Sequence, residues 1–165
     1  MNTQPQNTPS TIARLLPPTN VVLDLDVSSK RRVFDEAGLL FQHHQGIARS
    51  TVFDSLFARE RLGSTGLGQG VAIPHGRIVK LTAPIGAFFR LKEAIPFEAP
   101  DGKPVNLLFF ILVPEKATEA HLQILAALAE MFADESMRVR LATLTDAQAV
   151  HQDLITFRAD ASPDA

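Results

Sequence analysis

Leu107-Leu-Phe-Phe-Ile-Leu-Val113 is a run of seven apolar residues with no polar interruption. A strand with one wet face would show a polar residue at every second place, so this run, begun at Val105, reads as a mid-sheet strand covered on both faces. It is far short of the roughly 20 residues that a membrane helix needs. Just upstream, Glu98-Ala-Pro-Asp101-Gly102 is turn chemistry, with Asp-Gly a strong reversal signal. Before that turn, residues 85–91 carry Phe88 and Phe89 and read as a second strand, expected antiparallel to the first. Downstream, Thr118 is placed to cap a helix with Leu125, Leu128 and Phe132 inward. Ser136 and Thr145 offer starts for two more, and Thr145-x-x-Gln148 has the form of a capping box.

Further out on the amino-terminal side, Val21, Val22, Leu23 and Leu25 suit a short strand or an extended entry segment. Ser28 or Ser29 can cap a helix with Val33, Phe34, Ala37, Leu40 and Phe41 at helical spacing, ended by Gly46 after His43 and His44. Thr51 with Asp54 resembles a capping box opening a second helix, with Val52, Phe53, Leu56 and Phe57 inward and Gly63 as its stop. Helices, then strands, then helices predict a single α/β sandwich, a mixed sheet covered by helices rather than a regular βαβ repeat.

The chain has 165 residues, enough for one domain with a hydrophobic core and few for two. Residues 1–19 are rich in Asn, Gln, Thr, Ser and Pro and are expected to form a mobile tail; residues 159–165 are expected to fray likewise. The domain would then span 20–158. Sixteen Lys and Arg stand against 18 Asp and Glu, a formal charge of −2, which gives no global field for nucleic acid or an anionic membrane. There is no cysteine, so disulfides, thiolate catalysis and cysteine zinc sites are excluded together. The amino terminus lacks an apolar signal core, and the cytoplasm is the expected compartment.

Chemistry concentrates in Gly63-Ser-Thr-Gly-Leu-Gly-Gln-Gly-Val-Ala-Ile-Pro-His75-Gly-Arg77. Gly66, Gly68, Gly70 and Gly76 offer backbone N–H groups that can turn toward an anion. Pro74 restricts the direction in which His75 leaves the strand end. Neutral imidazole is a nucleophile near pH 7, and a positioned one can accept a phosphoryl group. Spacing alone favours an ordinary turn histidine. The loop is not a nucleotide site, because it lacks the Gly-Lys-Ser/Thr ending, Val71 stands where the third glycine of G-x-G-x-x-G would fall, and the loop leads from helix to strand.

His121, three residues after Thr118, falls in the first turn of its helix, on the side of Leu125, Leu128 and Phe132. Position alone favours a partly buried histidine bonded to a carbonyl; the alternative is a second imidazole beside His75 whose N–H stabilises charge on a phosphoryl group. Arg59 could bring a guanidinium to the same point, where a charge-assisted hydrogen bond contributes about 1.5–3 kcal/mol. Pattern alone does not choose among Arg59, Arg61 and Arg77. His43, His44 and His151 receive no role, and no H-x-H or H-E-x-x-H spacing supports a metal site.

The glycine-rich stretch ending in Ile-Pro-His75-Gly-Arg77, preceded by Arg59-Glu-Arg and followed by Glu119-Ala-His121-Leu-Gln-Ile-Leu, resembles enzyme IIA of the fructose and mannitol class of the bacterial phosphotransferase system. Within that class it is most similar to the nitrogen-regulatory branch, over roughly residues 21–157. The resemblance implies a mixed five-stranded sheet flanked by helices. It implies that His75 is phosphorylated on its tele nitrogen, that His121 stabilises the phosphoryl group and that Arg59 contacts it, with no metal or cofactor. The donor would be an HPr-like phosphocarrier (NPr). Two outcomes follow from it: a carrier whose phosphorylation state regulates target proteins, or a sugar-specific IIA that passes phosphate to a IIB domain. The absence of a IIB, HPr or membrane segment within these residues leans toward the first.

Overall fold

The structure, a computed structural model, describes residues 10–116 and 119–158. Its centre is the pair β5 (Ile85–Ile95) and β6 (Val105–Pro114), antiparallel as expected, with Phe88 opposite Phe109 and Phe89 opposite Leu108. β5 runs four residues past the expected end, with an irregularity between Arg90 and Ile95. The reversal turns on Gly102, at φ 73°, whose N–H donates to Ala99 O at 2.9 Å.

β1 (Val21–Leu25) lies parallel to β5 at one edge. On the far side of β6, β3 (Val71–Ala72) and β4 (His75–Ile78) both run parallel to it, and β2 (Gly66–Gly68) closes the other edge antiparallel to β3. Six strands thus occupy five lanes, since β3 and β4 are one lane broken at Ile73-Pro74. Proline has no N–H to give the ladder, but its carbonyl still accepts from Ile111 N at 3.0 Å and keeps the lane in place.

The apolar run of residues 107–113 is buried on both faces. Leu107, Phe109, Ile111 and Val113 pack on one side with α1 (Thr11–Leu15), α4 (Glu119–Phe132), α5 (Glu135–Thr143) and α6 (Ala147–Thr156). Leu108, Phe110 and Leu112 pack on the other against Val33, Phe34, Ala37 and Phe41 of α2 (Lys30–Gln45) and Val52 and Leu56 of α3 (Arg49–Glu60). Phe34 and Phe89 both meet the Phe110 ring edge-on, at 6.0 and 5.0 Å between centroids. Three layers result, helices on each face of a mixed sheet.

Several starts differ from expectation. Part of the segment expected to be a mobile tail is built into the core: Ser10 caps α1, Ile12, Leu15 and Leu16 are buried, and residues 18–20 form a 3-10 turn. Three apolar residues suffice because α6 holds the segment, with Ser10 Oγ donating to Ile155 O at 2.7 Å and His151 Nε2 2.8 Å from Leu16 O. Residues 1–9 and 159–165 lie outside the described residues, as does the Thr118 cap. α2 does begin at a Ser29 cap and ends on Gly46 in the left-handed region. α3 begins at Arg49 rather than Thr51, because Gln42 Oε1 accepts from Arg49 N at 2.9 Å in place of a cap. α5 and α6 are capped by Asp134 and Asp146, whose carboxylates outcompete Ser136 and Thr145 nearby.

Candidate functional site

α3, β4 and the first turn of α4 meet around a cleft of about 610 Å³. Asp54, Ser55, Ala58, Arg59 and Leu62 form one wall, His75, Gly76 and Arg77 the floor, and His121 the far side. His75 is the first residue of β4, paired with Ile111 of the central strand, so its backbone is fixed by the most buried part of the sheet. Gly76 lets α3 lie against β4: a Cβ there would stand 2.2 Å from Ser55 Oγ. Ser55 Oγ in turn donates to Arg77 O at 2.8 Å.

The His75 ring is oriented by the main chain. Its Nδ1 lies 2.9 Å from Ile73 O. A carbonyl only accepts, so Nδ1 carries the proton and Nε2 keeps the lone pair. Burial pushes the His75 pKa below its ordinary value of 6.5, with the charges of Arg59 and Arg77 adding to the effect and the Ile73 bond and Glu60 opposing it. The ring is therefore neutral at pH 7. His121 sits with its ring edge-on to that of His75, 5.3 Å between centroids. Its pKa is lowered too, by burial first and then by His75 and Arg77. His121 Nε2 is buried without a hydrogen-bond partner among the described residues. An unpaired buried nitrogen costs about 1–3 kcal/mol, and an oxygen-rich group placed between the rings would satisfy it.

Arg59 faces the cleft, its Nη1 donating to Gly63 O at 2.8 Å. Of the three arginines that sequence pattern could not separate, Arg59 and Arg77 line the cleft, while Arg61 is exposed with its guanidinium over Phe57. The loop between α3 and β2 is held from below by buried Glu60, which accepts from Thr65 N at 3.1 Å and Thr65 Oγ1 at 2.7 Å and pairs with Lys30 at 2.9 Å.

The glycines divide. Gly76 is in the cleft, whereas Gly66, Gly68 and Gly70 are not among its lining residues. Gly68, Gln69 and Gly70 all have positive φ and make the reversal between β2 and β3. That reversal faces Asp101, which accepts from Gln69 N at 2.9 Å, and β6, whose Asn106 and Leu107 donate to Gly70 O. Gly66 permits close approach to Ala99. Ser55, Ala58 and Leu62 escaped the sequence reading, although Ser55 stands one turn before Arg59 and so shares its face. Among the described residues no cluster of three or more His, Asp or Glu could hold a metal ion, and no helix is long and apolar enough to cross a membrane.

The mixed sheet covered by helices on both faces is the fold of phosphotransferase-system IIA components. The chain belongs to the family described as phosphoenolpyruvate-dependent sugar phosphotransferase system, EIIA 2, whose model matches residues 14–156. It is similar to the nitrogen regulatory protein of Pseudomonas aeruginosa, at 39% identity over 145 residues, covering 87% of this chain and 94% of that one. The crystal structure of nitrogen regulatory protein IIA-Ntr from Neisseria meningitidis has a TM-score of 0.84 at 51% identity, covering 88% of this chain and 99% of that one. The Escherichia coli mannitol enzyme IIA, solved in complex with phosphorylated mannitol enzyme IIB, shares the fold at 22% identity, with a TM-score of 0.71 over 85% of this chain and 98% of that one.

Proposed function

We propose that this protein is a phosphohistidine carrier of the nitrogen-related phosphotransferase system, charged on His75 by an HPr-like phosphocarrier and acting on target proteins according to its phosphorylation state. The bond from His75 Nδ1–H to Ile73 O carries the reading, because it leaves Nε2 as the nucleophile on a ring that burial keeps neutral. The Nε2 lone pair attacks phosphorus and a P–N bond forms as the donor's P–N bond breaks, its electron pair returning to the donor imidazole. Nδ1 keeps its proton, and Ile73 O stabilises the positive charge that grows on the ring. The transition state is loose, so orientation and charge stabilisation dominate. His121 Nε2, bearing its proton, donates to a phosphoryl oxygen, and Arg59 offsets the dianion. Similar imidazoles on both sides make the transfer reversible.

The test is incubation with enzyme I, an HPr-like carrier and labelled phosphoenolpyruvate. Acid-labile label on the tele nitrogen, seen by phosphorus NMR and absent from His75→Ala, is expected. Label elsewhere, or retained in that variant, refutes the assignment. Passage of the label to a IIB domain and on to sugar would favour the transport role.

A further inference from the structure

Carrier chemistry needs His121 beside His75, yet the first turn of α4 has little to hold it. Glu119, Ala120, Leu122 and Gln123 are exposed, and the first buried side chain of the helix is Ile124. Helix ends open readily unless something ties them down. Among the described residues, the side-chain hydrogen bond that reaches the 115–123 stretch comes from Arg77, whose Nη1 donates to Glu115 O at 2.6 Å. Arg77 stands two residues past His75 on β4, so strand alternation puts both on one side. Its register partner is Val113, two residues before Glu115. The guanidinium therefore spans from the strand that carries His75 to Glu115, just past the end of β6. Arg59, by contrast, is tied to Gly63 at the far end of the cleft wall.

Building on the carrier reading, we infer that Arg77 is a positioning residue: it holds the chain at Glu115 against β4, so that the His121 ring stays edge-on to His75. The same guanidinium lowers the proton affinity of both rings, whereas Arg59 does so for His75 alone.

Arg77→Met removes the donor and keeps the stem; Arg77→Lys keeps a donor and the charge. In the unphosphorylated protein, NMR cross-relaxation between the His75 and His121 ring protons should be lost in Arg77→Met and kept in Arg77→Lys, with unchanged thermal midpoints as the control for folding. Phosphoryl transfer at saturating donor should slow about five- to tenfold in Arg77→Met, the scale of one net hydrogen bond, with the donor KM unmoved. In a His121→Ala background, assayed at about pH 8 where the His75 ring is neutral with or without the Arg77 charge, the same substitution should slow it no further, because the residue acts through His121. Ring contact that persists in Arg77→Met, or rate losses that multiply in the double variant, overturns the inference. A wild-type protein that takes up no phosphate sinks the carrier reading, and the ring contact then decides the positioning role by itself.

Discussion

Replacing Gly76 by alanine presses on the seam between α3 and β4. The added Cβ would meet Ser55 Oγ at 2.2 Å, and Ser55 Cβ and backbone carbon at 3.1 Å each. The hydroxyl can rotate away, which forfeits its bond to Arg77 O, but the other two atoms yield only if α3 shifts by a few tenths of an ångström. Overpacking of this kind costs about 1–3 kcal/mol and an exposed hydrogen bond about 1 kcal/mol at most, so Gly76→Ala should lose roughly 2–3 kcal/mol. For a chain this size that corresponds to a fall in Tm of roughly 5–10 °C. Ser55→Ala removes the nearest atom and slightly favours the helix. The pair Gly76→Ala, Ser55→Ala should therefore recover about half of the loss, measured by urea unfolding and calorimetry. A single variant within about 0.5 kcal/mol of wild type, or a double variant no better than the single, would show that the seam is not packed as described.

Acid should act on the histidine pair in two ways. His75 and His121 both have folded pKa values below the unfolded 6.5, so between those values the unfolded state binds more protons; stability present above pH 6.5 is lost as pH falls below it. His75→Gln should flatten that loss in pH-dependent unfolding, and the acid limb of phosphoryl acceptance should lie below pH 6.5. Asp101→Ala frees Gln69 N and Lys103 N, so hydrogen exchange should quicken at both amides, while phosphoryl transfer, monitored in parallel, should hold at the wild-type rate because this turn does not line the cleft. Arg90 is buried and donates to Asp24, Leu141 O and Leu144 O; Arg90→Met should destabilise by about 3–5 kcal/mol in denaturant unfolding, since two carbonyls lose their partner.

The layers could be read from the chain because burial on both faces leaves no room for a polar residue, and residues 107–113 contain none. The Asp-Gly reversal likewise fixed the antiparallel pair. Helix starts were harder wherever two capping residues compete within a turn, as Asp134 does with Ser136 and Asp146 with Thr145. Residues 10–19 look polar on average, and only their three-dimensional neighbours show that Ile12, Leu15 and Leu16 have a place to go. In the cleft, His75 stands out by its motif, whereas Arg59, Arg61 and Arg77 look alike in the chain and only the packing puts two of them at the site. The glycines do not declare their use, because the same residue that exposes an N–H to an anion also serves a tight reversal, and only the path of the chain separates the two uses.

The break at Ile73-Pro74 makes the His75 tautomer robust to mutation. A tautomer fixed by a carboxylate or an amide side chain can be lost by a single base change. Here the acceptor is a carbonyl that every amino acid brings to position 73, so drift in neighbouring side chains leaves the choice of ring nitrogen intact. Only a rerouting of the chain through that bend would free Nδ1 and turn the other face of the imidazole to the cleft.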